Sequence, residues 1–126
     1  MNYENLRKLA KYLKGPLKAV LNMGEYSNNH HMFQEDCGTV GCAAGHGPYA
    51  GVAKDPEEGW SEYVTRVFSL SLGSKERAWC FASMWCFVDN TATGAAARIE
   101  WLLNHGLPEN WYHQMEGKEP LCYQSK

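Results

Sequence analysis

The sequence predicts an all-α fold, a compact single domain of about five helices spanning residues 1–126. Apolar residues recur at helical spacing in several segments, capping residues precede those segments, and alternating strand-type patterns are scarce. Of the 126 residues, 44% are hydrophobic and 21% are charged, which is typical of one globular domain rather than a disordered chain.

The first predicted helix follows a capping Asn2 and ends before Gly15. Its apolar face consists of Leu6, Leu9, Ala10, Leu13 and Leu17. The opposite face is basic and carries Arg7, Lys8, Lys11, Lys14 and Lys18. The helix dipole favours lysines near a C-terminal end, so a solvated face is the ordinary interpretation. The functional alternative is a docking surface for an acidic partner, with the first four of these cations as contact groups.

An irregular, polar segment, residues 19–36, separates this helix from a cysteine-containing turn. No helical spacing extends through it. Its polar side chains lie close to that turn in sequence, which makes them further candidates for binding. These candidates are Asn28, Asn29, His30 and His31.

The cysteine turn runs from Cys37 to His46 and consists otherwise of small residues. Thr39 is a predicted N-cap, and a helix after it would place Cys42 and His46 on one side. In one interpretation the thiols are buried apolar groups and His46 caps the helix end. In a second, Cys42 is the nucleophile of a thiol-dependent enzyme with His46 as its base. Two distant histidines, His105 and His113, are the alternative bases.

A third interpretation of the same turn is a small structural zinc domain. Cys37, Cys42 and His46 would be three of its ligands. The fourth would be His30, His31 or Cys122. The spacing of the two cysteines is at the edge of the zinc-site range, and no proper second pair follows. Apart from this possible zinc ion, we expect no cofactor.

Three more helices are predicted in the second half. Asp55, Pro56 and Glu58 form a capping box for one of them. Ser74 caps the next helix, which runs to about residue 88 and buries two tryptophans, Trp79 and Trp85. Thr91 caps the last one, residues 92–104, and the aromatic tail after residue 109 is expected to pack onto the domain.

Composition also limits function. A net charge of −2 argues against strong nucleic-acid binding. No apolar run approaches the length of a membrane span, and the N-terminus carries no apolar signal core. Five cysteines, an odd number, favour a reduced compartment, so we expect a cytoplasmic protein.

Three blocks of the sequence, taken together, resemble an uncharacterised family of small proteins of tailed phages and prophages. The blocks are Cys37-Gly38-Thr39-x-x-Cys42-x-Ala44-Gly45-His46, the aromatic segment 79–87, and Asp89-Asn90-Thr91-x-x-Gly94-Ala95-Ala96-x-Arg98-Ile99. The family typically has proline where this chain has Ala92. It has histidine or tryptophan at the position of His46, which counts against that residue as an essential ligand or base.

The resemblance implies an accessory protein that acts by binding in the cytoplasm of an infected host. By analogy with other phage accessory proteins, it would inhibit a host defence by engaging a host protein or a small nucleotide signal. It implies no oligomeric state.

Overall fold

A computed structural model describes residues 1–15 and 43–124. Within these ranges the chain forms five α-helices and three short 3₁₀ helices, and no strand. The α-helices are α1 (Tyr3–Leu13), α2 (Trp60–Val67), α3 (Lys75–Phe81), α4 (Ala92–His105) and α5 (Trp111–Met115). The 3₁₀ helices are η1 (Ala44–His46), η2 (Pro48–Ala50) and η3 (Ser83–Phe87). The all-α prediction is confirmed.

Helix α1 begins as its sequence predicts. The Asn2 side chain accepts a hydrogen bond from the backbone N–H of Asn5 at 3.0 Å, which satisfies one of the free donors of the first turn. The Asn5 side chain in turn donates to the Val67 carbonyl at 2.8 Å, and Asn2 N–H donates to the Phe68 carbonyl at 2.9 Å. These bonds join the start of α1 to the end of α2.

The helix predicted to start at Asp55 begins later, at Trp60, so that prediction is wrong at its N-terminus. Glu58 does accept from the Asp55 N–H at 3.2 Å, but residues 55–58 form an isolated turn. Gly59 is extended, with φ −73° and ψ 162°, and it separates this turn from the helix. Glu62 accepts from the Gly59 N–H at 2.9 Å and completes the observed start.

The single helix predicted over residues 75–88 is two elements, α3 and η3. Ala82 lies between them in an extended conformation, with φ −65° and ψ 141°. The break turns the Trp85 ring edge-on to the Trp79 ring, with centroids 5.3 Å apart. It also lets Trp85 Nε1 donate to the Ala78 carbonyl at 3.2 Å. Both tryptophans are fully buried, as predicted.

The caps predicted at Ser74 and Thr91 are confirmed. Ser74 Oγ accepts from the Arg77 N–H at 3.2 Å, and Thr91 Oγ1 accepts from the Gly94 N–H at 3.0 Å. Helix α4 packs against α1 and α3, and α5 packs against α3. Residues of all five α-helices share one hydrophobic core. No helix in the described part of the chain is long and apolar enough to cross a membrane.

Candidate functional site

The four basic residues predicted on α1 all lie at the surface, but their surroundings differ. Lys14 Nζ forms an ion pair with Glu100 Oε2 of α4 at 2.5 Å. The Arg7 guanidinium lies 5.8 Å from the centroid of the Tyr3 ring. Lys8 and Lys11 form no ion pair with any residue in the described ranges.

Helix η2 packs against α1, and a groove of about 540 Å³ lies between them. This volume falls within the range of small-molecule sites. Among the described residues that line the groove there is no carboxylate, and the two lysines are the charged groups. The lining residues are Lys8, Lys11, Tyr12, Gly15, Tyr49, Ala50 and Gly51.

Aromatic rings from both elements form part of the groove. The Tyr12 and Tyr49 rings are stacked, with centroids 6.3 Å apart and planes 24° from parallel. The His46 ring packs against both, with centroids 5.8 Å from Tyr12 and 6.0 Å from Tyr49. Tyr49 remains 41% exposed, whereas His46 is fully buried. The rings of Tyr12 and His46 therefore support the exposed ring of Tyr49.

The turn between η1 and η2 positions Tyr49 because Gly47 lies directly on Tyr63 of α2. A Cβ atom at Gly47 would lie 2.1 Å from the Tyr63 hydroxyl, so only glycine fits this approach. The same hydroxyl donates a hydrogen bond to the Val52 carbonyl. Tyr63 is fully buried, and burial raises the pKa of its hydroxyl, which remains a neutral donor. Helix α2 thus holds the loop that presents Tyr49.

The structure around His46 differs from the sequence prediction. The described end of the predicted cysteine-turn helix, Ala44–His46, is a 3₁₀ helix rather than an α-helix. The His46 ring lies beneath the tyrosines and does not line the groove. Its ring packs against the rings of Tyr12 and Tyr49 and so supports both.

Several predicted site residues lie outside the described residues. They are Asn28, Asn29, His30, His31, Cys37 and Cys42. The predicted Thr39 cap and the irregular segment also lie there. The nucleophile and zinc hypotheses for Cys42 therefore stay predictions. Among residues 1–15 and 43–124, no group of three or more His, Cys, Asp or Glu side chains could hold a metal ion.

Two of the described cysteines, Cys80 and Cys122, lie in environments that disfavour the thiolate. Burial raises the pKa of the Cys80 thiol to about 12, and it also raises the pKa of the Cys122 thiol. Cys80 is fully buried, and Cys122 is partly buried. Because the thiolate is the reactive form, neither environment favours covalent catalysis.

A second polar cluster lies inside the domain and uses residues of the third sequence block. The fully buried Arg98 donates to the Tyr123 hydroxyl at 2.8 Å, and that hydroxyl donates to Asp89 Oδ2 at 2.8 Å. The Arg98 guanidinium also lies 4.1 Å from the centroid of the Trp85 ring. A buried ion pair enclosed by aromatic rings holds the chain terminus to α4, which is a structural role.

No protein-family model matches this chain, and no curated protein or solved structure shows significant similarity to it. The geometry of the groove is therefore the basis for the functional proposal. The resemblance to phage proteins remains an expectation from sequence.

The sequence indicated the lysines of the groove but not its aromatic residues. Lys8 and Tyr12 are four residues apart on α1 and therefore neighbours on the helix surface. That spacing was the one local signal that Tyr12 accompanies the basic face. Tyr49 comes from a separate element, and no local pattern pairs it with α1.

Proposed function

We propose that this protein acts by binding an anionic partner in the groove between α1 and η2. The observation that supports the proposal is the charge of that groove. Lys8 and Lys11 line it, and within residues 1–15 and 43–124 no carboxylate lines it and neither lysine has an ion-pair partner. Two ammonium groups in a concave surface attract phosphate or carboxylate groups, although the whole chain has a net charge of −2.

The groove distinguishes this part of α1 from a helix face that is merely solvated. Exposed lysines on a flat surface are common and need no ligand. Here the lysines border an open groove whose other side is formed by Tyr49 and Gly51. A ligand that enters this space is contacted by two elements, and each contact removes surface from water.

The sequence resemblance suggests where such binding would operate. It favours a phage-type accessory protein in the host cytoplasm, with counter-defence as its role. The partner would be a host protein with an acidic surface or a phosphorylated small molecule. The alternative, a thiol-dependent enzyme, would use Cys42, which lies outside the described residues, so it has no support from the structure's geometry.

The proposal is tested by retention on immobilised protein. Wild-type protein is compared with the Lys8→Gln/Lys11→Gln variant in lysate of the host, and bound proteins and small molecules are identified by mass spectrometry. We expect a species that the wild type retains at low salt and releases at high salt, because salt screens such contacts. The groove variant should not retain it.

The matched control is Lys75→Gln/Lys118→Gln, which removes the same charge from surface positions outside the groove. It should retain the same species as the wild type. If the groove variant and the wild type bind identical sets of proteins and small molecules, the groove is not the binding surface.

A further inference from the structure

The groove combines two features, and binding to an acidic protein surface would not require both of them. One is the pair of lysines, Lys8 and Lys11, and the other is the stacked ring pair, Tyr12 and Tyr49. Phosphates are bound by lysine ammonium groups, whereas planar bases stack on aromatic rings. A ligand that uses both features must carry negative charge at one end and a flat aromatic system at the other.

The lysines lie on the same surface of α1 as the aromatic residue. Lys8 and Lys11 are three residues apart, and Lys8 and Tyr12 are four apart, so all three are neighbours on one helix face. The axial rise over one turn is about 5.4 Å. Tyr49 of η2 lines the same groove as both lysines, so one small molecule in the groove can contact charge and ring together.

The ring that a ligand would meet is Tyr49. It lines the groove, is 41% exposed, and makes its ring contacts with Tyr12 and His46. The buried His46 and the close approach of Gly47 to Tyr63 hold it in place. A ring that is already fixed loses little conformational freedom on binding, which favours affinity.

We propose that this groove binds a nucleoside phosphate. Its base stacks on Tyr49, and its phosphates contact Lys8 and Lys11. This inference rests on the proposed function and adds the ligand class. The groove volume of about 540 Å³ is within the range of small-ligand sites.

Isothermal titration calorimetry with ATP, inorganic triphosphate and adenosine tests the inference on the full chain. We expect ATP to bind roughly 5- to 100-fold more tightly than triphosphate, because base stacking adds affinity. Adenosine should bind weakly because it has no charge for the lysines. Higher salt should weaken ATP and triphosphate alike.

Variants assign the two parts of the ligand to the two parts of the groove. Tyr49→Leu should lower the affinity for ATP to that for triphosphate. Tyr49→Phe should keep the wild-type affinity for ATP. Tyr112→Leu, at another exposed tyrosine that does not line the groove, should have no effect. Lys8→Gln/Lys11→Gln should abolish binding of both phosphates, whereas Lys75→Gln/Lys118→Gln should not. Circular dichroism of each variant confirms that it is folded.

The outcomes separate this inference from the proposed function. If ATP and triphosphate bind equally, and both need Lys8 and Lys11, the groove binds anions but not bases, and the nucleotide inference is overturned alone. If neither binds, the nucleotide inference is overturned, and the lysate comparison decides the proposed function. If an oligoadenylate binds more tightly than ATP, the ligand is a polymer, and the assignment to a free nucleotide is wrong.

Discussion

The Asp89 carboxylate and the Arg98 guanidinium form an ion pair across the first turns of α4, with Oδ2 and Nη1 3.6 Å apart. The Tyr123 hydroxyl bridges them, and Thr91 Oγ1 donates to Asp89 Oδ1 at 2.6 Å. Arg98 is fully buried, and the Asp89 side chain is 8% exposed. A buried guanidinium is tolerated here because a carboxylate and a hydroxyl are fixed beside its Nη1 atom.

Replacing Asp89 by asparagine should therefore destabilise the protein by about 3–5 kcal/mol, since Arg98 would remain buried without a counter-charge. Urea unfolding followed by circular dichroism measures this loss. Glu109→Gln, at an exposed acid, is the matched control and should shift the free energy of unfolding by less than about 0.5 kcal/mol. An Asp89→Asn variant as stable as that control would show that the ion pair contributes little.

The position of the Asp89 carboxylate leaves room only for glycine at residue 94. A Cβ atom at this position would lie 2.1 Å from Asp89 Oδ2 and 2.5 Å from Oδ1. Alanine is normally the better helix former by about 1 kcal/mol, yet we expect Gly94→Ala to destabilise by roughly 1–3 kcal/mol because Asp89 must move away from Arg98. Thermal or urea unfolding gives the sign of the effect.

A double-mutant cycle provides the control for Gly94. In an Asp89→Ala background the steric conflict is gone, so Gly94→Ala should become neutral or stabilising. If Gly94→Ala is equally destabilising in both backgrounds, the conflict with Asp89 is not its cause.

Truncation of two aromatic residues in the same segment should change the free energy of unfolding to very different extents. Trp79 is fully buried, and its Nε1 donates to the Arg98 carbonyl at 2.9 Å, whereas Phe87 is 88% exposed. Trp79→Ala should cost about 3–5 kcal/mol, and Phe87→Ala should change the free energy of unfolding by less than about 0.5 kcal/mol. Calorimetric unfolding of both variants checks the contrast. Equal melting temperatures would contradict the assigned core.

The start of a helix was predictable wherever a local side chain decides it. Asn2, Ser74 and Thr91 each accept a hydrogen bond from the backbone N–H three residues later, which is the signal that the sequence carries. The break at Ala82 was not predictable in this way. It depends on the packing of Trp85 against Trp79, and a continuous apolar run does not encode it.

The candidate site was predictable only in part for a related reason. The sequence gives the charged face of α1 directly, because the helical period separates Lys8 and Lys11 from the buried leucines. Tyr49 joins that face through tertiary packing of η2. Arg98 was unexpected in the core because arginine is seldom fully buried unless it is paired.

The Glu58–Arg66 ion pair should make the free energy of unfolding depend on pH in the acidic range. Arg66 Nε donates to Glu58 Oε2 at 2.7 Å, and this contact lowers the pKa of Glu58 from 4.5 to about 2. A carboxylate with a lowered pKa stabilises the folded state above its unfolded pKa of 4.5, and that contribution is lost as the pH falls towards 2.

Urea unfolding of wild type and Glu58→Gln across this pH window measures that contribution. The difference between the two proteins should be constant above pH 4.5 and disappear near pH 2. In an Arg66→Gln background the difference should be small at every pH. A wild-type advantage that persists unchanged at pH 2 would contradict the assignment.

Alkylation of the thiols tests the structural description and the enzyme hypothesis in one experiment. Cys80 is fully buried with a pKa of about 12, so iodoacetamide at neutral pH should modify it slowly in the native protein and rapidly after denaturation. Cys86 is half-buried and should react faster than Cys80 in the native state. Peptide mass spectrometry follows each site separately. Native labelling of Cys80 as fast as that of Cys86 would contradict its burial.

The same time course decides between the interpretations of Cys42. If Cys42 fills space in a tightly packed turn, it should be protected like Cys80, and Cys42→Ala should leave binding in the groove intact. If it is an activated nucleophile, its native rate should equal or exceed the rate in the denatured chain. We expect protection, because the proposed function needs the groove lysines and not a thiol. Fast native labelling would favour the thiol-dependent enzyme.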